Sequence, residues 1–243
     1  MIKFFRKIRY DLMEKNKTGK YLKYAIGEII LVVIGILIAL QINNWNEKRK
    51  TTEIRNNYYQ QVLKDLKKDS IYINRIIINL DSSLSKYQSY LEKLPKAEDI
   101  NDFVLLFGSL DWTFEYITFN TNTLESLIST GDIKLMPDNI RNGLLDLRTT
   151  QNEINKVAIG NNEVFLRESQ KAIGLGPINF ALNINSKLSN QLIRKEDIVS
   201  AINMINGTFQ LKVFTEKYLL AEMDKLLDSS KDLSELINEE LNK

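Results

Sequence analysis

The chain has 243 residues, 44% hydrophobic and 26% charged, with only 3 Pro and 10 Gly, which excludes a disordered chain and argues against a turn-rich β protein. Cysteine and histidine are absent, so disulfides, thiolate metal sites, Ser–His catalysis, zinc proteases and di-iron bundles built on Glu-x-x-His are excluded. The net charge of +2 is unevenly spread: residues 1–23 carry +6 and residues 29–243 carry −3, so the large part of the chain lacks the basic footprint of a nucleic-acid binder.

Residues 1–23 are basic, and Met1, Phe5, Ile8 and Leu12 recur at helical spacing. This pattern predicts a short amphipathic segment suited to an anionic membrane surface. Tyr24–Trp45 follows as YAIGEIILVVIGILIALQINNW. Its length as a helix is roughly 30 Å, the thickness of a bilayer's hydrocarbon core. Lys20, Tyr21, Lys23, Tyr24 and Trp45 stand where interfacial anchors belong. The flank after the span carries +2 against +6 before it. The positive-inside rule then predicts a single-pass bacterial inner-membrane protein, N-terminus cytoplasmic, C-terminal domain periplasmic. The run ends without a small-x-small cleavage site, so it reads as a retained signal anchor.

From Ile36 to Leu94 there is neither Gly nor Pro. Ile54, Tyr58, Val62, Leu66, Ile73, Ile76 and Leu80 keep a helical stripe. Leu80, Leu84, Tyr87, Leu91 and Leu94 follow a heptad-like pattern. The span is therefore expected to continue as a stalk over about 46–94. Short helices are expected within 99–131, with Asp99 or Asn101 as a cap, a capping box at Asn122-x-x-Glu125 and a stop at Gly131. Long helices follow over about 138–172, with Gln151 in the buried stripe, and about 195–241. Residues 174–194 read as a loop with one helical turn near 180–182. The expected fold is all-α: a transmembrane helix (24–45), then an extramembrane antiparallel helical bundle (46–243).

MIKFFRKIR…KYAIGEIILVVIGILIALQINNWNEKRK resembles the N-terminus of a family of single-span membrane proteins of unknown function common in Bacteroidetes. Thr121-x-x-Leu124-x-x-Leu127-x-Ser129-x-Gly131, with Leu135 and Ile140-Arg141, resembles the same family. The family often has aromatics where this chain has Leu147-Arg148. The resemblance implies an inner-membrane anchor with a periplasmic helical region, and no catalytic residues.

Glu28 is the sharpest feature, because a carboxylate inside a span costs several kcal/mol unless paired, hydrated or protonated. It shares a helix face with Gly35 and Ala39, a small-x-x-x-small pair that lets another helix approach. The face reads as a transmembrane contact surface, as a shallow residue reaching interfacial water, or as an ion-coupling carboxylate. Phe103, Phe107, Trp112, Phe114, Tyr116 and Phe119 form a possible aromatic contact cluster, or the closed end of a bundle. The Ser129–Asp132 turn reads as a helix stop. Asp65, Asp69, Glu115, Asp146 and Glu163 lack metal-ligand spacing and read as solvated helix faces. No catalytic, metal or cofactor residue is expected. The expected function is a non-enzymatic scaffold or accessory subunit of an envelope complex. Its partners would be the lipid bilayer and either copies of itself or another membrane or envelope protein. The alternatives are a periplasmic sensor or ligand-binding bundle, and an ion-coupled subunit using Glu28.

Overall fold

The computed structural model describes residues 10, 18–110, 112–113, 116–175 and 194–243. The expected amphipathic segment before Thr18, the turn near 180–182, Phe114 and Glu115 lie outside the described residues. Among those described there are five α-helices and no strand: α1 Thr18–Lys93, α2 Ile100–Gly108, α3 Asn122–Thr130, α4 Asp138–Gly174 and α5 Lys195–Leu241. Tertiary contacts divide the chain into two units, Met1–Asn56 and Asn57–Lys243.

In the first unit, α1 carries one stretch long and apolar enough to cross a membrane, and none of its apolar window is buried. From Leu22 to Trp45 every side chain is exposed except those of Ala25 and Glu28, which are half-buried. α1 extends for 76 residues because nothing in it breaks the backbone ladder, and Pro95 then ends it in a 3-10 turn, Leu94–Lys96.

The second unit is a bundle of three long helices. α1 buries Tyr59, Val62, Leu66, Ile73, Ile76, Leu80, Tyr87 and Tyr90. α4 buries Ile140, Leu144, Leu147, Gln151, Ile154, Ala158 and Phe165. α5 buries Ala201, Ile205, Phe209, Leu219, Met223, Leu226, Leu233 and Ile237. Together with Asp69 and Leu84 on α1, Asn162 on α4, and Lys212, Glu216 and Ser230 on α5, which are buried too, each stripe advances by three or four residues, the period of one helix face. Gly143 lets α4 approach α5 closely: a Cβ there would stand 3.1 Å from Leu233 Cδ1. Two positions differ from the sequence expectation. The stripe on α1 buries Tyr59 with Tyr58 only half-buried, and Ile54 is exposed.

Helix directions follow from matched pairs. Asp69 bonds Gln151 and Tyr87 shares a buried lysine with Phe165, so α1 and α4 run parallel. Tyr87 lies 5.0 Å from Phe209 and Tyr90 bonds Asn206, so α5 runs antiparallel to α1. Phe165 packs on Phe209 while Gly143 meets Leu233, so α5 is antiparallel to α4 also.

The parallel pair requires the chain to travel back along the bundle between Lys93 and Asp138. α2 starts this return, capped by Asp99, whose Oδ1 accepts from the Asp102 amide at 3.0 Å. A strap then runs back along one face of α1. Tyr72 Oη donates to the Tyr116 carbonyl and accepts from the Thr118 amide, both at 3.1 Å. Asp69 holds Asn120, Asp65 Oδ2 accepts from Thr123 Oγ1 at 2.5 Å, and Tyr58 donates to Asp132 at 3.2 Å. Tyr58, Asp65, Asp69 and Tyr72 thus recur at heptad-like spacing and pin the strap at four levels. Gly131 stops α3 with φ +76°, the left-handed conformation glycine tolerates best. The capping box does not form. Thr121 is the cap, Asn122 is already helical, and Glu125 instead pairs with Arg148 on α4 at 2.8 Å.

Candidate functional site

The core of the second unit falls into two apolar clusters. One surrounds Val62, Ile73, Ile140, Ile154, Leu226 and Ile237. The other is aromatic: Tyr87, Tyr90, Phe103, Phe107, Phe165 and Phe209. Trp112 joins the second, with ring centroids 4.6 Å from Phe107 and 5.5 Å from Phe209.

Between the clusters the stripes become polar. α5 places Lys212 and Glu216 where its spacing calls for core residues. Their side chains are only 1% and 6% exposed, and Nζ stands 3.3 Å from Oε1. Lys212 Nζ lies 4.4 Å from the Phe165 ring centroid and 5.4 Å from that of Tyr87. It donates to the Thr113 carbonyl at 3.5 Å. One carboxylate, two aromatic faces and a carbonyl therefore stabilise the buried ammonium, which burial alone would penalise by several kcal/mol. Beside this pair is a cavity of about 310 Å³. Asn79, Ser83 and Lys86 of α1, Asn161 and Asn162 of α4, and Glu216 of α5 line it. Lys86 is exposed, while Asn162 and Glu216 are buried. Its apolar lining comes from Leu80, Ile117, Ala158 and Leu219.

A second buried polar group lies deeper in the first cluster. Asp69 is 2% exposed. Its Oδ1 accepts from the Asn120 amide at 3.0 Å and from Asn120 Nδ2 at 2.7 Å, and its Oδ2 accepts from Gln151 Nε2 at 3.0 Å. Gln151 lies in the buried stripe where the sequence placed it, with Asp69 as its partner. Asp69 is therefore no solvated face. It joins the strap to α1 and α4, and Asp65 one turn away ties Thr123 to α1.

Tyr90 is buried in the aromatic cluster and donates to Asn206 Oδ1 at 2.9 Å. Burial raises its phenol from 10.0 to about 12. The folded state thus favours the neutral phenol. Its contribution is whole below pH 10 and is lost as pH rises through about 12. Tyr90→Phe is expected to flatten the alkaline limb of stability in that window, followed by denaturant unfolding across pH. An unchanged limb would count against the assignment.

The aromatic residues 103–119 do not gather in one place. Phe103 and Phe107 are buried and cannot offer a contact surface. Phe119 packs edge-on against Tyr72 at 6.3 Å, in the other part of the core. Tyr116 is exposed, its carbonyl held by Tyr72. In the span, Glu28 is half-buried and Ala39 exposed, and a Cβ at Gly35 would meet nothing within 4 Å. Tyr24 and Trp45 are exposed, and Arg49 stands 5.8 Å from the Trp45 ring. Lys20 and Tyr21 lie in α1, Lys23 is exposed, and the side chains of Lys20 and Tyr21 are outside the described set. Among the described residues no group of three or more acidic side chains could hold a metal ion.

Sequence reasoning passed over Lys212 and Glu216 and read Asp69 as a solvated face. A signal for them existed. The spacing Ile205, Phe209, Lys212, Glu216, Leu219, Met223 alternates four and three without a break. Two opposite charges four residues apart inside a core stripe mark a buried pair.

These features define an all-α protein with one apolar helix able to span a membrane and a three-helix bundle holding a polar layer. The chain belongs to the family described as "Family of unknown function (DUF6090)", which matches residues 28–209, most of its length. No curated protein and no solved structure shows significant similarity to it.

Proposed function

We propose that this chain is a single-pass, non-enzymatic scaffold or accessory subunit of the bacterial inner membrane, with its bundle in the periplasm. It assembles with copies of itself or with another envelope protein through its transmembrane face and stalk. The observation that carries this reading is Glu28. It is a carboxylate in a helix whose apolar window is not buried, on the face that carries the small residues Gly35 and Ala39. Gly35 and Ala39 let a partner span approach closely, which places Glu28 of the same face at the contact. The flanking charges support the orientation.

Glu28→Gln in the full chain is expected to leave membrane insertion intact and to shift the particle mass in gentle detergent toward the monomer. An unchanged mass would remove Glu28 from the assembly face.

A second reading, a ligand-binding bundle, is favoured by one observation: the polar cavity beside Lys212 and Glu216. Packed helical cores are closely filled, and a cavity lined by a carboxylate, an ammonium and several amides is a costly feature for an anchor alone.

A further inference from the structure

α5 carries a second stripe, on the side turned away from the core. Met204, Gly207, Leu211, Phe214, Tyr218 and Ala221 follow one another at steps of three, four, three, four and three residues. That is the a/d spacing of a coiled-coil seam. Met204 is half-buried and the other five are exposed, Phe214 to 73%. None of the six is charged, whereas the same stretch of α5 turns its ion pair, Lys212 and Glu216, inward. An exposed uncharged row at this spacing fits one kind of occupant, another helix whose side chains interlock with it.

We infer that two copies of this chain pair along this stripe, α5 against α5 of the second copy, parallel and related by a two-fold axis. The charges at the rims of the stripe favour a copy as the occupant. Lys217 stands on one rim and Glu222 on the other, five residues further on. Parallel pairing of the stripe with itself brings these two rim positions of facing chains together, once on each side of the axis. An antiparallel pair that keeps all six residues in contact sets Lys217 beside Gln210 instead. Lys217 is exposed. Glu222 holds Lys225 of its own helix at 2.7 Å, in a pair at the surface, and a carboxylate accepts from more than one donor. The seam spans under three heptads, which is short for a coiled coil of free chains. Copies anchored in one membrane meet at a high effective concentration, which offsets this. In that respect the inference rests on the assembly of anchored copies proposed above, and it adds a contact on the bundle itself.

The chain has no cysteine, so single introduced cysteines report on the contact without interference. The test is oxidative cross-linking of the full chain in the membranes of the expressing cells. Gly207→Cys, Phe214→Cys and Ala221→Cys are made singly, with Lys156→Cys on the exposed side of α4 as the control. A Cβ at Gly207 meets nothing within 4 Å, so that position accepts the change. All three are expected to give disulfide-linked dimer, at least about tenfold more than the control. Adding Phe214→Glu to Ala221→Cys alters an exposed side chain, so the thermal transition should be retained while the cross-link falls to the control level. A cross-link at Phe214→Cys alone would make the pair antiparallel and overturn the inference. So would an Ala221→Cys cross-link undiminished by Phe214→Glu. If none of the three cross-links while the chain is oligomeric in gentle detergent, the stripe is no self-contact and assembly through the span stands. If none cross-links and the chain is a monomer, both readings fall.

Discussion

Lys212→Met is expected to lower the unfolding free energy of the bundle by about 3–5 kcal/mol, the loss seen when one member of a buried ion pair is removed. Methionine fills similar volume against Phe165 and Tyr87, so packing is largely kept. What remains is a Glu216 carboxylate that is buried and has lost its ammonium. Adding Glu216→Leu removes that stranded charge, and the double variant is expected to recover most of the loss, because apolar replacement of a whole buried pair is often neutral or stabilising. Denaturant unfolding of the single and double variants gives the coupling directly. A single-variant loss under about 1 kcal/mol would place the pair in solvent and contradict the polar layer, since exposed pairs are worth that little.

Asp69→Ala is expected to destabilise the bundle by about 2–4 kcal/mol, because it leaves the buried Gln151 amide and the Asn120 donors without their acceptor. The damage should be local before it is global. The strap is held to α1 at four levels, and Asp69 is the one that also reaches α4. Hydrogen exchange at Asn120 and Thr118 should accelerate more than exchange in α5. Uniform acceleration across the bundle would instead mean that the strap has no independent hold on the core.

Both variants act on residues that the sequence hides, whereas the long helices are plain in it. The long helices are legible because their breakers are few and placed at their ends. Pro95 follows α1, Pro137 precedes α4, and Gly131 closes α3 in the left-handed region. Gly160 and Gly207 sit on exposed faces inside helices and do not end them, since a glycine costs only about 1 kcal/mol there. The Asn122-x-x-Glu125 signature misleads because the helix starts one residue earlier, with Thr121 as its cap, and Glu125 pairs instead with Arg148 on α4, distant in sequence. Asp69, Lys212 and Glu216 are hidden for a different reason. A charged residue reads as solvated by default, and only the unbroken three-and-four spacing around it says otherwise. The cavity is not legible at all. It depends on the register of α1, α4 and α5 together, and on where the strap leaves Thr113 and Ile117.

The proposed function is assembly through the span and stalk. The most direct test is the mass of the full chain after gentle solubilisation without added ligand. A stable oligomer, or a defined complex with another envelope protein, is the predicted result. A monomer at every concentration, with nothing bound but detergent and lipid, would contradict it.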